Sequence, residues 1–189
     1  MELKANLGVA YWVSTRFAVD EVKTGLNEDG ELIYLAEGYH GSEKTEIKLR
    51  TTCDPNPENL HPGDLINVGG RIGDEITSYE LTYCPHTEPH THVATNTGYS
   101  TGGYFDISGY VYDIKDRVVK ISYDDPADWQ QMVSLQSSKI LLYDSNHSED
   151  GFTEIEPSEI ITYKAARENC DRVYVYINSS QMRNFVVFR

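Results

Sequence analysis

The sequence predicts a mostly β protein: one or two small antiparallel barrels or sandwiches, with one or two short helices in the C-terminal half. Three observations carry this. Apolar and polar residues alternate with period two through most apolar runs, which turns one face of each run inward and the other to water. The 14 tyrosines in 189 residues, together with many Val, Ile and Thr, favour pleated backbone. No helical period of 3.6 runs through residues 1–84.

The elements follow in order. In "VAYWVSTRFAV", residues 9–19, Val9, Tyr11, Val13, Phe17 and Val19 share one face of a long first strand. Trp12 lies on the other face beside small Ala10 and Ala18, which suits a face covered by another part of the protein. "NEDGE" makes a hairpin turn, because Asp29-Gly30 supplies positive φ. "ELIYLAEG" and "KTEIKLRT" follow as strands, Ile47 and Leu49 alternating with Glu46, Lys48 and Arg50. "CDPNPENLHPGD" is a loop. It leads into "DLINVGGRI", where Ile66, Val68 and Ile72 share a face and Gly69-Gly70 marks a bulge or sharp bend. "TSYELTYC" closes the set with Tyr79, Leu81 and Tyr83 on one face.

Residues 85–103, "PHTEPHTHVATNTGYSTGG", hold two prolines and three glycines with few large aliphatics. They read as a connector between a first β module, 1–84, and a second, 104–189. The second opens with strands in "YFDISGYVYDI" and "RVVKISYD". A short helix is expected in "DPADWQQMVSLQ", capped by Asp125 or Asp128, with Trp129, Met132 and Val133 on its apolar side. "KILLYD" is a strand, "SNHSEDGF" a loop, and "EPSEIITYKAARENC" is helical in character. "RVYVYIN" and "NFVVFR" end the chain as strands. The halves have similar length and similar openings, but the sequence shows no residue-level repeat between them.

Five short strands in residues 7–84, with "LHPGDLINVGGRI" placing the Pro62-Gly63-Asp64 turn before a strand that ends in Gly, resemble an oligonucleotide/oligosaccharide-binding (OB) barrel. Residues 104–189 resemble it more loosely. The resemblance implies a binding module and no particular chemistry. An immunoglobulin-like sandwich or a jelly roll would produce a similar strand list.

Net charge is −14: residues 1–95 carry 7 basic against 16 acidic side chains, and residues 96–189 carry 9 against 14. A diffuse acidic surface repels phosphate backbones at long range, which argues against general duplex binding unless a local basic groove overrides it. The N-terminus lacks the pattern of a signal peptide, and no apolar run approaches the roughly 20 residues of a membrane span. Cys53, Cys84 and Cys170 are odd in number and widely spaced. The expectation is an intracellular protein with reduced thiols, not secreted and not in a membrane.

Two constellations bear on function. In "CPHTEPHTH", Cys84, His86, Glu88, His90 and His92 fall on alternate positions. In extended chain such side chains point the same way, roughly 6.6 Å apart. His86, His90 and His92, completed by Glu88 or Cys84, are the candidate ligands for zinc or copper. Against this, Pro85 and Pro89 remove two backbone donors, so the expectation is an exposed connector with incidental histidines and no required cofactor. The second constellation is aromatic. If the valines of "GYVYD" and "RVYVYIN" face the core, Tyr110, Tyr112, Tyr174 and Tyr176 form an outward ladder on which bases can stack. The bland reading is that they cover a sheet face. Arg172, Arg183 and Arg189 lie in the only stretch that is basic without an acid. The candidate ligand-binding residues are therefore Tyr110, Tyr112, Arg172, Tyr174, Tyr176 and Arg183.

No nucleophile elbow, Walker loop or zinc-protease motif is present. The expected function is non-catalytic binding, with single-stranded nucleic acid as the leading ligand. The alternatives are an acidic protein-interaction surface, including a decoy for basic proteins, and a glycan-binding or metal-dependent β-sandwich.

Overall fold

The computed structural model describes residues 16–86, 104–123, 125–135, 139–178 and 181–189. The first half contains β1 (Phe17–Leu26), β2 (Leu32–His40), β3 (Glu43–Arg50), β4 (Leu65–Val68), β5 (Arg71–Ile72), β6 (Glu75–Ile76) and β7 (Tyr79–Tyr83). The second contains β8 (Tyr104–Lys115), β9 (Val118–Ser122), β10 (Gln131–Ser134), β11 (Ile140–Tyr143), β12 (Phe152–Ile155), β13 (Arg172–Asn178) and β14 (Gln181–Phe188). One helical turn, α1 (Tyr163–Ala166), sits between 3-10 turns at Pro157–Glu159 and Arg167–Asn169. The predicted class, mostly β with a short helix late in the chain, is the observed one.

Each half forms its own seven-stranded sheet, and the two sheets share a connectivity. In the first, β1 lies between β2 and β4, antiparallel to both, and β3 lies outside β2. Segment 75–83 then pairs twice: β6 runs parallel to β3, and β7 antiparallel to β4. One segment thus ties both sides of the sheet together and curls it into a barrel-like shell. In the second half, β8 lies between β9 and β13, and β10 lies outside β9. The last strand, β14, again pairs twice, antiparallel to β13 and parallel to β11. β10 and β11 together take the place of the third strand, and an insertion, residues 144–171, carries β12 and α1 between them and the fourth strand, β13.

The repeat extends to single residues. The first strand of each unit is bulged, between Val19 and Glu21 in β1 and between Val111 and Asp113 in β8. At the bulge the Val19 amide donates to the Asp64 carbonyl and the Val111 amide to the Asp171 carbonyl, both at 2.9 Å. Asp64 and Asp171 each stand just before the fourth strand, and both are buried. Their carboxylates accept backbone amides, from His61 and Ile161 respectively, both at 2.8 Å. Close approach between the first two strands excludes a side chain in both units. A Cβ on Gly38 would lie 1.9 Å from the Ala18 carbonyl oxygen, and one on Gly109 would lie 2.1 Å from that of Ser122.

Alternation sorts the core into three clusters. Phe17, Val19, Ile47, Leu49, Ile66 and Ile76 fill the first sheet's interior. Val111, Val119, Ile121, Val173, Val175, Phe185 and Val187 fill the second's. The opposite faces do not go to water: Ala18, Leu65 and Tyr83 of the first sheet pack with Tyr143, Tyr174, Tyr176, Val186 and Phe188 of the second. Burial of such side chains contributes about 1.5–3 kcal/mol each. Ala18 therefore lies on a covered face, as its small size predicts, while Trp12 lies outside the described residues.

Arg16 stands at this junction, 5% exposed. Its guanidinium pairs with Asp106 at 2.9 Å, donates to Asn67 at 2.9 Å and to the Tyr174 hydroxyl at 3.2 Å, and lies 4.1 Å from the Tyr176 ring centroid. Its backbone is held from the other side, its amide donating to Asn184 and its carbonyl accepting from the Asn184 amide. A buried guanidinium needs this many partners because an unpaired one would cost far more than the pair contributes.

One predicted helix is absent. In "DPADWQQMVSLQ" the Asp125 side chain caps a single turn, accepting the Ala127 amide at 2.8 Å. The chain then extends as β10 against β9. Period two wins over the capping signal here: Val133 and Leu135 enter the core, while Ser134 between them and Met132 before them are exposed.

Candidate ligand-binding surface

The outward ladder divides. Tyr174 and Tyr176 are 1% and 0% exposed, because the first sheet covers that part of β13. The two are junction residues, and the expectation that they present their rings to a ligand is corrected. Burial, and then the Asp106 carboxylate, push the Tyr174 hydroxyl above its ordinary range. That hydroxyl donates to Asp106. Tyr110, Tyr112 and Arg172 are half-buried and lie on the part of the same face that, among the described residues, the first sheet leaves uncovered. Arg183 lies in β14, and its side chain is outside the described set.

On the uncovered part, aromatic rings and cations occur in pairs. The Arg172 guanidinium carbon lies 4.5 Å from the Tyr110 ring centroid, and its Nη1 reaches the Tyr110 hydroxyl at 3.3 Å. Lys164 Nζ lies 5.5 Å from the Tyr112 centroid, and Arg167 lies 5.3 Å from that of Tyr163. Lys120 Nζ lies 4.4 Å from the Trp129 centroid. Lys120 pairs in register with Asp113, which in turn holds Lys164 in a 2.5 Å ion pair, so these groups are neighbours on one face. Lys164 and its hydrogen bond hold the Asp113 carboxyl below its usual range. Tyr163, Lys164 and Arg167 are additions that sequence reading missed. The signal was present in "TYKAAR", but only the fold of the insertion lays that segment on β8.

The repeat shows what is unusual about this face. Leu65 pairs with Ala18 in the first unit, and Arg172 pairs with Tyr110 in the second. The two pairs are equivalent, since each fourth strand begins one residue after its buried aspartate. In the first unit the pair is small and apolar and packs into the junction. In the second it is a cation on an aromatic ring, half-buried and outside the junction core.

The histidine segment is described only as far as His86. His86 is exposed and its Nε2 lies 2.5 Å from the Pro62 carbonyl oxygen, with the His61 ring 5.6 Å away centroid to centroid. Cys84 is buried. Glu88, His90 and His92 lie outside the described residues. Among the described residues no group of three His, Cys, Asp or Glu side chains is arranged to hold a metal ion.

An acidic cleft of about 380 Å³ runs along the seam between the units, lined by Asp20, Glu21, Glu37, Glu149 and Asp150 with Lys44 among them. Among the described residues no helix is long and apolar enough to cross a membrane. Comparison with protein-family models, with curated proteins and with solved structures returned no match.

Proposed function

We propose that this protein is a non-catalytic binding protein for single-stranded nucleic acid, built from two OB-like units and engaging its ligand on the uncovered face of the second. The observation that carries this reading is the set of cation–aromatic pairs at Tyr110, Tyr112, Tyr163 and Trp129. Rings offer stacking surfaces to unpaired bases, and the cations beside them attract phosphates. A duplex hides its bases and meets the net charge of −14 over a broad surface, so it is the weaker ligand. Strand order supports the OB-like reading: in both units the first strand lies between the second and fourth, and the last pairs twice.

Titration of fluorescently labelled single strands and duplexes, at low and moderate salt, tests the function. Saturable binding of single strands, weaker for duplex, is the expected result. No binding of either at low salt would shift the assignment to the second reading. That reading is a partner protein with a basic surface, favoured by the acidic cleft at the seam.

A further inference from the structure

We infer that one nucleobase is held between Tyr112 and Tyr163, which act as the two sides of a stacking slot. The inference rests on the binding function proposed above and names the contact within that face. The two rings lie 18° from parallel with centroids 6.0 Å apart. A planar base sandwiched between two rings needs roughly 7 Å, twice the ~3.5 Å contact distance of carbon atoms. The centroid distance is an upper bound on the spacing of the ring planes, so the rings must part by at least about one ångström to admit a base.

The two sides come from different elements, which makes that opening available. Tyr112 is the extra residue of the β8 bulge, and the bulge turns its ring outward beside Asp113. Tyr163 begins the four-residue turn α1, within the insertion. An exposed Lys164–Asp113 pair links α1 to β8, and such pairs hold weakly. The insertion is fastened lower down, where the Asp171 amide donates to the Ile161 carbonyl at 2.8 Å and Ile161 donates back to the Asp171 carboxylate at 2.8 Å. Ile160 anchors this segment in the core, whereas the residues of α1 lie outside the core clusters, so parting the two rings leaves those clusters in place.

The rim favours a nucleotide over a sugar or an aromatic side chain. Lys164 and Arg167 each lie over one of the two rings, within 5.5 Å of its centroid. Arg172 stands on Tyr110 two residues before the slot, where it suits the next phosphate. A glycan stacks on one ring and has no use for three cations. A base joined to phosphates uses all of them.

The test uses the full chain and a single-stranded oligonucleotide carrying one 2-aminopurine, whose emission falls when it stacks. Wild type is expected to bind and quench it. Tyr163→Ala and Tyr112→Ala are each expected to weaken binding by about 5- to 150-fold, the range of one stacked base, and to restore emission. Tyr163→Phe, which keeps the ring, should behave as wild type. Tyr163 lies outside the core clusters, so Tyr163→Ala carries the test should Tyr112→Ala fail to fold. Alanine variants that bind and quench like wild type would overturn the slot while leaving the binding function standing. A wild type that binds no oligonucleotide would remove the function, and the slot with it.

Discussion

Asparagine at Asp64 and at Asp171 is expected to change stability in different directions, although the two residues hold equivalent places. Leu65 pairs with Tyr83 and Arg172 with Phe188, so Cys84 and Arg189, the next residues along, are also equivalent. Arg189 holds Asp171 with two bonds of 2.9 Å. Asp64 has no cation in that place: Cys84 stands there, and its thiol is a hydrogen-bond partner of the Asp64 carboxylate. Asp171→Asn leaves Arg189 facing an amide. The loss is about 3 kcal/mol, the low end for a broken buried pair, because Arg189 is 29% exposed and keeps its bond to the Glu159 carbonyl. For a chain of this size that lowers Tm by roughly 6–12 °C.

Asp64→Asn removes a charge that burial disfavours and keeps an oxygen for the His61 amide. The expected change runs from zero to a gain of about 1 kcal/mol. Burial raises the Asp64 carboxyl above its ordinary 3.8, so between that value and the raised one the folded protein keeps a proton that the unfolded chain has released. Its contribution to stability therefore falls as pH rises through that window, and Asp64→Asn should flatten this slope. Urea unfolding of both variants, at pH values on either side of the window, measures all of this. Equal destabilisation by the two substitutions would refute the contrast between a buried carboxylate paired with an arginine and one beside a cysteine.

Other outcomes follow from the same structure. Burial, and then the Arg71 charge, lower His40 to about 4 from its ordinary 6.5. Its neutral form therefore contributes up to roughly 3 kcal/mol above pH 6.5, lost as pH falls towards 4; His40→Gln should lose less over that range, and parallel curves would count against it. Arg16→Ala leaves Asp106 unpaired at the junction, for a cost of about 3–5 kcal/mol in urea unfolding; a loss below about 1 kcal/mol would show that the pair is not a buried link. The Pro-, Thr- and Gly-rich residues 85–103 are proposed as the connector between the units. Limited proteolysis is expected to cut there first, and the nicked halves should co-elute on a sizing column because the junction core joins them. A first cut elsewhere would contradict that boundary.

Strand positions were legible because alternation reports one buried face directly. It reads "EIKL" in β3 and "RVYVYIN" in β13 without ambiguity of type. It does not say what covers the second face. In β13 the valines were readable as core, but whether Tyr174 meets water or another sheet depends on a junction assembled from distant residues, among them Ala18, Leu65 and Phe188. The helix expected at 125–135 failed for a related reason, since a capping aspartate marks a turn whether or not a helix follows. The repeat was illegible because its fixed points are backbone events: a bulge, an amide-to-carbonyl bond, and an aspartate whose partner is an arginine in one unit and a cysteine in the other. Tyr110, Tyr112 and Arg172 could be picked from the sequence. Tyr163, Lys164 and Arg167 could not, as nothing local shows that α1 lies on β8.

The central claim, that the cation–aromatic face of the second unit binds single strands through bases and phosphates, is tested most directly by the salt dependence of affinity. Lys120, Lys164, Arg167 and Arg172 contact phosphates in this account. The logarithm of affinity for a single-stranded oligonucleotide should therefore fall with the logarithm of salt with a slope of about −3, and Lys164→Glu/Arg167→Glu should flatten it by roughly 1.4 while weakening binding at low salt. A slope near zero in wild type, or one unchanged in the double variant, would contradict the account.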